Sequence, residues 1–378
     1  MLPIDPRTVI LLAGVMSSFM ALIMFSLKRS YPPTIKGLGE WGVALLMVAL
    51  GTTMAYGLGS LPHFFAITVP RVLFPAALFL GYVAAQRFFG ETPRFLPWLA
   101  LIAVTVAVQM WFTFGAPDYA VRLRLSNGLA VCLFVAFANL LRRQGLNSFA
   151  KILTMGVLVS MCGIVVMRLV TAFIWPVGAD IYDTSLQHLV YVSALSVFIL
   201  LLSVGVVLLA AERLHTEVAY LASHDSLTNA LTRRHMNEVC AMELERSLRH
   251  GHSMALLIMD LDHFKLINDT YGHQRGDHVL VDFVAKVNGL LRRPDQLARF
   301  GGEEFVALLP ETTLEEALLV AERIRAACAL PGIEPHCKVS IGVTTNAQGD
   351  DTVDSLIARA DTAVYRAKAL GRNRVEAA

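Results

Sequence analysis

Apolar residues gather into runs over the first 210 positions, at about residues 8–27, 41–60, 67–86, 96–115, 125–141, 152–174 and 187–210. Each run is close to the roughly 20 residues a helix needs to cross a bilayer. A helix also satisfies its own backbone polar groups in lipid. About seven transmembrane helices are therefore expected, forming an α-helical membrane bundle. Turn chemistry separates the runs at Tyr31-Pro32-Pro33, Ser60-Leu61-Pro62, Glu91-Thr92-Pro93, Gly115-Ala116-Pro117 and Trp175-Pro176. The fifth run is short, and the third contains Pro75.

The pattern changes after residue 210. Val207, Ala211, Leu214, Val218 and Leu221 recur at alternating spacings of four and three. That seam predicts a helical connector over 207–224, either one amphipathic helix lying on its own domain or, the favoured reading, a stalk paired with a second chain. Residues 225–378 read as a soluble α/β domain. Asp225 precedes a helical stretch to about Arg249, and Met254–Met259 has the composition of a buried strand. A helix is expected at about 275–291. Leu297–Phe300 and Phe305–Leu309 then flank Gly301-Gly302-Glu303-Glu304, a tight hairpin whose glycines permit positive φ.

Composition sharpens this division. The chain of 378 residues is 55% hydrophobic and 16% charged, against about a quarter charged for a soluble domain. The formal net charge of +2 is too small to point to nucleic acid as a partner. Membrane lipid is the expected surrounding of residues 1–210. Lys28, Arg29 and Lys36 follow the first run, Arg87 and Arg94 the third, and Arg142, Arg143 and Lys151 the fifth. The alternate loops carry fewer basic residues, Arg122 and Arg124 after the fourth run being the main ones. The positive-inside rule then places the N-terminus outside and residues 225–378 in the cytoplasm. The first run is too long for a signal-peptide core and should remain as a membrane helix. Arg168 lies inside the sixth run near a helix end, where it can act or simply snorkel. His63 and His188 fall near the outer face. The five cysteines form no CxxC pair and are expected as reduced thiols.

The chemistry gathers in the polar half. Asp260-Leu261-Asp262 ends an apolar strand, and residues two apart on a strand face the same way. Such concentrated negative charge calls for a cation. Beside it, Glu303 and Glu304 complete a carboxylate cradle for one or two magnesium ions on a triphosphate. Lys265 and Asn268 follow the first carboxylates. Gly272, Gly276 and Asp277 form a turn entering a helix, whose free N–H groups favour phosphate or sugar. Lys368 and Arg372, four apart, suit a triphosphate tail. The P-loop sequence is absent.

Taken in order, Asp225-Ser226-Leu227-Thr228, Asp260 to Asp269, Gly272 to Asp277, Arg299-Phe300-Gly301-Gly302-Glu303-Glu304-Phe305, Val339 to Val343 and Lys368 to Asn373 resemble the GGDEF domain of bacterial diguanylate cyclases, in its GGEEF variant. The resemblance covers about 150 of 378 residues. It implies a nucleotidyl-cyclase-like α+β domain with a central antiparallel sheet. It implies condensation of two GTP into cyclic di-GMP with release of pyrophosphate, by a homodimer in the bacterial inner membrane. Mg2+ or Mn2+ would be held by Asp260, the Leu261 carbonyl, Glu303 and Glu304, the two glutamates also acting in catalysis. Asn268 and a buried Asp277 would read guanine, since a mismatched base leaves such groups unpaired. Phe264, Lys265, His273, Lys368 and Arg372 would hold the rest of the substrate. Arg292-Arg293-Pro294-Asp295 has the RxxD form of the family's product-inhibition site, and Arg323 matches a position that assists it. Asn229 and Thr232 depart from the glycine and asparagine usual there, which predicts altered packing rather than lost activity.

Overall fold

The structure, a computed structural model, describes residues 5–57, 60–62, 64–175, 185–330, 336–346 and 351–378. The chain divides into two compact units, Met1–His215 and Thr216–Ala378. Among the described residues, seven helices are long and apolar enough to cross a membrane. They are α1 (Pro6–Ser30), α2 (Leu38–Tyr56), α3 (Val69–Phe88, entered through a wide helical turn at Phe64–Thr68), α4 (Leu96–Phe114), α5 (Tyr119–Arg143), α6 (Phe149–Ile174) and α7 (Leu186–Ser223).

Apolar side chains such as Leu22, Leu96, Phe149 and Phe173 face outward and are exposed, as lipid-facing positions should be. The inward faces bury Met24, Trp41, Phe134, Phe137, Leu158 and Leu202 in one core. Several hydroxyls inside the bundle are tied back to their own helices. Thr154 donates to the Ala150 carbonyl at 2.7 Å, and Ser203 to Ile199 at 2.8 Å. This removes the cost of an unpaired hydroxyl in lipid. Helix α5 is longer than its apolar run because Arg122 and Arg124 interrupt the hydropathy but not the helix. The Arg124 guanidinium donates to the Ala172 carbonyl and lies over the Phe173 ring. His63 lies outside the described residues.

Unit two is a six-stranded sheet of order β1-β3-β4-β2-β5-β6. The strands are β1 (Leu231–Thr232), β2 (Ala255–Leu261), β3 (Gln296–Gly301), β4 (Glu304–Leu309), β5 (Val339–Thr345) and β6 (Val375–Ala377). The central four strands are antiparallel as expected, while the two edge pairings, β1 with β3 and β5 with β6, are parallel, so the sheet is mixed. All seven residues of β2 are buried, because helices cover both faces. Leu257, Met259 and Leu261 pack against Phe283 of α10 (His273–Asn288) and Ile324 of α11 (Leu314–Ala329). Leu256 and Ile258 pack against Met236 of α8 (Arg233–His250) and Leu356 of α12 (Val353–Ala369).

Residues 225–232 correct the expectation of a helix starting at Asp225. They form a turn and the short strand β1, and α8 begins only at Arg233. Thr232 explains the boundary: its hydroxyl caps α8 by accepting from the His235 N–H. Asn229 has φ 59°, a conformation that glycine and asparagine tolerate best. Its side-chain oxygen accepts from the Tyr220 hydroxyl at 2.6 Å. The departure at 229 thus preserves the turn and adds a tie to α7.

Candidate active site

The site is built where β2 ends and the β3–β4 hairpin turns. Asp260, the penultimate residue of β2, is 5% exposed and stands opposite Glu304 in the antiparallel register. The Leu261 N–H donates to the Glu303 carbonyl at 3.2 Å, which fixes the hairpin turn against the end of β2. Gly302 has φ 38°, a left-handed conformation that a side chain would strain. Glu303 is half-buried and Glu304 exposed.

Lys368, near the end of α12, is the cation of this group. Its Nζ lies 2.6 Å from Asp260 Oδ2. Burial nonetheless raises the Asp260 pKa, outweighing the Lys368 ammonium. Burial and the nearby Asp260 charge likewise raise that of Glu303. Two carboxylates that resist ionisation beside one another are under-neutralised by Lys368 even with the more distant help of Arg372. That electrostatic deficit and the hard oxygen donors fit a divalent cation. Among the described residues, no three His, Cys, Asp or Glu side chains stand close enough to enclose a metal. Such a site suits a hard divalent cation held by one or two carboxylates, with phosphates and water completing the shell.

Asp262 does not join the cradle as the strand pattern predicts. It lies just beyond β2, buried, with Oδ1 accepting from Ser340 Oγ at 2.8 Å and Oδ2 from the Asn373 N–H at 2.9 Å. It anchors the segment that carries Lys368 and Arg372. Arg299 was not singled out by sequence. Its guanidinium donates twice to the Gly302 carbonyl, at 3.0 and 2.7 Å, and reaches Asp225 Oδ1 at 3.2 Å. Burial opposes ionisation of Asp225, but Thr228 and Arg299 outweigh it and lower its pKa. The hairpin is thereby clamped to the turn directly after α7. The signal for both residues was their place inside the matching motifs Asp225 to Thr228 and Arg299 to Phe305.

A second group lines the approach to α10. A Cβ on Gly276 would meet Asn268 Oδ1 at 1.9 Å, so only glycine lets the Asn268 amide lie against the first turn of α10. Asp277 and His273 are exposed, so the structure does not show the expected burial of Asp277. Lys265 is exposed as well, whereas the Phe264 side chain is buried in the core. Only the Phe264 backbone N–H, at the start of α9 (Phe264–Tyr271), is available to a phosphate. Arg372 is exposed and close enough to Asp260 to favour its charge.

Arg292, Asp295 and Arg323 lie together at some remove in sequence from this centre. Asp295 Oδ2 accepts from the Arg292 N–H at 2.7 Å, closing the turn. Arg323 of α11 reaches the Leu290 carbonyl beside it at 3.5 Å.

The family described as "Diguanylate cyclase, GGDEF domain" matches residues 222–374. The chain carries a GGDEF domain. Over 169 residues it is 42% identical to diguanylate cyclase DgcM of Escherichia coli (strain K12), a match covering 44% of this chain and 41% of that protein. The response regulator PleD of Caulobacter vibrioides is 41% identical over 162 residues, 41% of this chain and 36% of PleD. The chain thus spans less than half the length of these curated relatives. The GGDEF domain also matches, at 33% identity over 169 residues, a cyclic di-GMP phosphodiesterase, NbdA of Pseudomonas aeruginosa, covering 44% of this chain and 22% of that protein. A solved coiled coil and GGDEF domain of DgcB from Caulobacter crescentus, in complex with c-di-GMP, is 30% identical, with a TM-score of 0.44 over 47% of this chain and 97% of that one.

Proposed function

We propose that this chain is a membrane-embedded diguanylate cyclase that condenses two GTP into cyclic di-GMP and pyrophosphate. The observation that carries the reading is the Asp260–Glu303 pair, one carboxyl buried and the other half-buried, under-neutralised beside Lys368 within a GGDEF domain. NbdA makes this observation necessary, because the domain match alone extends to a phosphodiesterase. The carboxylates that a cyclase needs are present here in full.

Each residue has a definable task. A divalent cation, when bound, supplies Lewis-acid polarisation of the α-phosphate and acidifies the ribose 3′-hydroxyl. Asp260, the Leu261 carbonyl and Glu303 would hold it, with Glu304 adding charge opposite Asp260. Lys368 would exchange Asp260 for phosphate oxygens, and Arg372, Lys265 and the Phe264 N–H would hold the remaining phosphate charge. Asn268, Asp277 and His273 would orient the base and sugar. A bound guanine would bury Asp277 and supply the desolvation that makes its hydrogen bonds discriminating. One GTP per domain makes each protomer half a reaction centre, so a homodimer is required. Arg292, Asp295 and Arg323 would bind product and slow the enzyme. Residues 1–210 would sense a stimulus, with the N-terminus outside and the GGDEF domain cytoplasmic.

The test is product identity. Full-length protein in lipid nanodiscs, given GTP and Mg2+, should yield cyclic di-GMP by chromatography and mass spectrometry, and ATP should yield no cyclic dinucleotide. Hydrolysis of added cyclic di-GMP with no synthesis from GTP would reject the reading.

A further inference from the structure

The membrane unit contains a cavity of about 520 Å³. Most of its wall is apolar, from residues such as Leu45, Phe134 and Ile199. Three guanidiniums also line it: Arg71 of α3, Arg122 of α5 and Arg168 of α6. No aspartate or glutamate is among the lining residues, and none of the three arginines has an ion pair among the described residues.

The arginines are poorly provided with acceptors. Arg71 and Arg122 both donate to one neutral oxygen, Thr113 Oγ1. Two like charges converging on one hydroxyl repel each other more strongly in a bundle core than in water. Arg168 is hydrogen-bonded to Tyr119 and has the His188 Nδ1 at 3.2 Å and the Tyr191 ring at 5.6 Å, none of which carries a negative charge. Three further donors on the cavity wall, Arg122 Nε, Asn127 Nδ2 and Trp41 Nε1, are buried with no acceptor. Asn127 and Trp41 are each only 7% exposed, so solvent does not serve them. Among the described lining residues, every unpaired atom is thus a donor and every charge is positive. An intramembrane charge without a partner is a functional signal. The chemistry that completes this site is an acceptor-rich anion, and the apolar remainder of the wall requires an apolar body behind it.

We infer that the membrane unit binds an anionic amphiphile, its carboxylate or phosphate head held by Arg71, Arg122 and Arg168 and its chain lying in the apolar part of the cavity. Arg71 is near the start of α3, Arg122 near the start of α5 and Arg168 near the end of α6. In alternating antiparallel spans these all fall at one end of the bundle, the end at which α7 begins. Helix α7 contributes His188, Ser196 and Ser203 to the wall and then runs unbroken to Ser223, the residue before the bridge that opens the GGDEF domain. A ligand here would therefore touch the helix that leads to the cyclase. The head-group chemistry is shared by free fatty carboxylates and anionic phospholipids, and the test separates them.

Full-length protein in phosphatidylcholine nanodiscs is titrated with radiolabelled decanoate, and with decanol as the neutral analogue. Saturable decanoate binding is expected, with decanol at least ~tenfold weaker. Arg122→Gln and Arg168→Gln should each weaken decanoate by ~tenfold or more at an unchanged unfolding midpoint. In nanodiscs containing phosphatidylglycerol, a lipid occupant would compete with decanoate and co-purify with wild type but not with Arg122→Gln. A free carboxylate would bind undiminished there. Failure of both ligands to bind, or binding that the arginine variants leave unchanged, overturns the proposal. Asp180 and Asp183 lie outside the described residues, so Asp180→Asn/Asp183→Asn is included. Binding within about threefold of wild type is expected, and a larger gain would identify those acids as the counter-ions and overturn it. The readout is binding alone, so it is independent of the cyclase activity.

Discussion

Asp260 and Glu303 hold their protons more tightly than free carboxylates, because burial, together with the Asp262 charge beside Asp260 and the Asp260 charge beside Glu303, exceeds the help of Lys368. The sign of the consequence is fixed by linkage. A carboxyl whose folded pKa is raised stabilises the fold below its unfolded pKa, and that contribution is lost as pH rises through the folded pKa. Glu303→Gln should therefore raise the unfolding midpoint of the metal-free protein above that pH, with the gain disappearing as pH falls through it. A midpoint lowered at neutral pH would contradict this. Divalent-cation affinity should also decline at a higher pH than for an ordinary carboxylate site, which Mn2+ titrations across pH would detect. At the proposed product site, Arg292→Ala should raise the cyclic di-GMP concentration for half-inhibition by ~tenfold, a loss of about 1.4 kcal/mol, with the initial rate kept within about twofold. Asp260 and Glu303 were legible in the sequence because a strand end and a glycine turn are local patterns. Asp262 was misassigned because its partner Asn373 is 111 positions away. Arg299 was passed over for the same reason, Asp225 being 74 positions distant.

At the scale of elements, hydropathy located the seven long apolar helices found among the described residues but clipped α5, where arginines continue a helix that no longer looks apolar. The heptad seam over 207–224 correctly carried α7 beyond its apolar run. The turn at 225–232 was hidden because its evidence is a backbone conformation, φ 59° at Asn229, rather than an apolar period. That turn and the β3–β4 hairpin are joined by the Asp225–Arg299 contact. A double-mutant cycle of Asp225→Ala and Arg299→Ala should give a coupling of about 0.5–3 kcal/mol in denaturant unfolding. Each single variant should also lower the cyclase rate without changing nucleotide selectivity. Additive effects on both stability and rate would show that the contact is incidental. Asn229→Val should destabilise the domain by about 1–2 kcal/mol, because a β-branched residue resists the left-handed conformation, and Asn229→Gly should be tolerated.

For the whole molecule, the seam on α7 changes character along its length. Val207 and Leu214 pack against the membrane-unit core, whereas Val218 and Leu221 are exposed apolar residues on the segment just before the GGDEF domain. Exposed apolar residues at heptad spacing suit a second copy of the chain, and the two-nucleotide reaction needs one. Val218→Asp/Leu221→Asp should lower the dimer fraction seen by mass photometry and the specific activity together. The central claim is that the Asp260–Glu303 pair is half of a GTP-condensing centre. Its most direct test is to count products from the full-length dimer given GTP and Mg2+. Wild type should release two pyrophosphates for each cyclic di-GMP formed, and Glu303→Ala, still dimeric, should lose about 10²–10³-fold or more in rate. Undiminished synthesis by Glu303→Ala, or none by a dimeric wild type, would contradict the account.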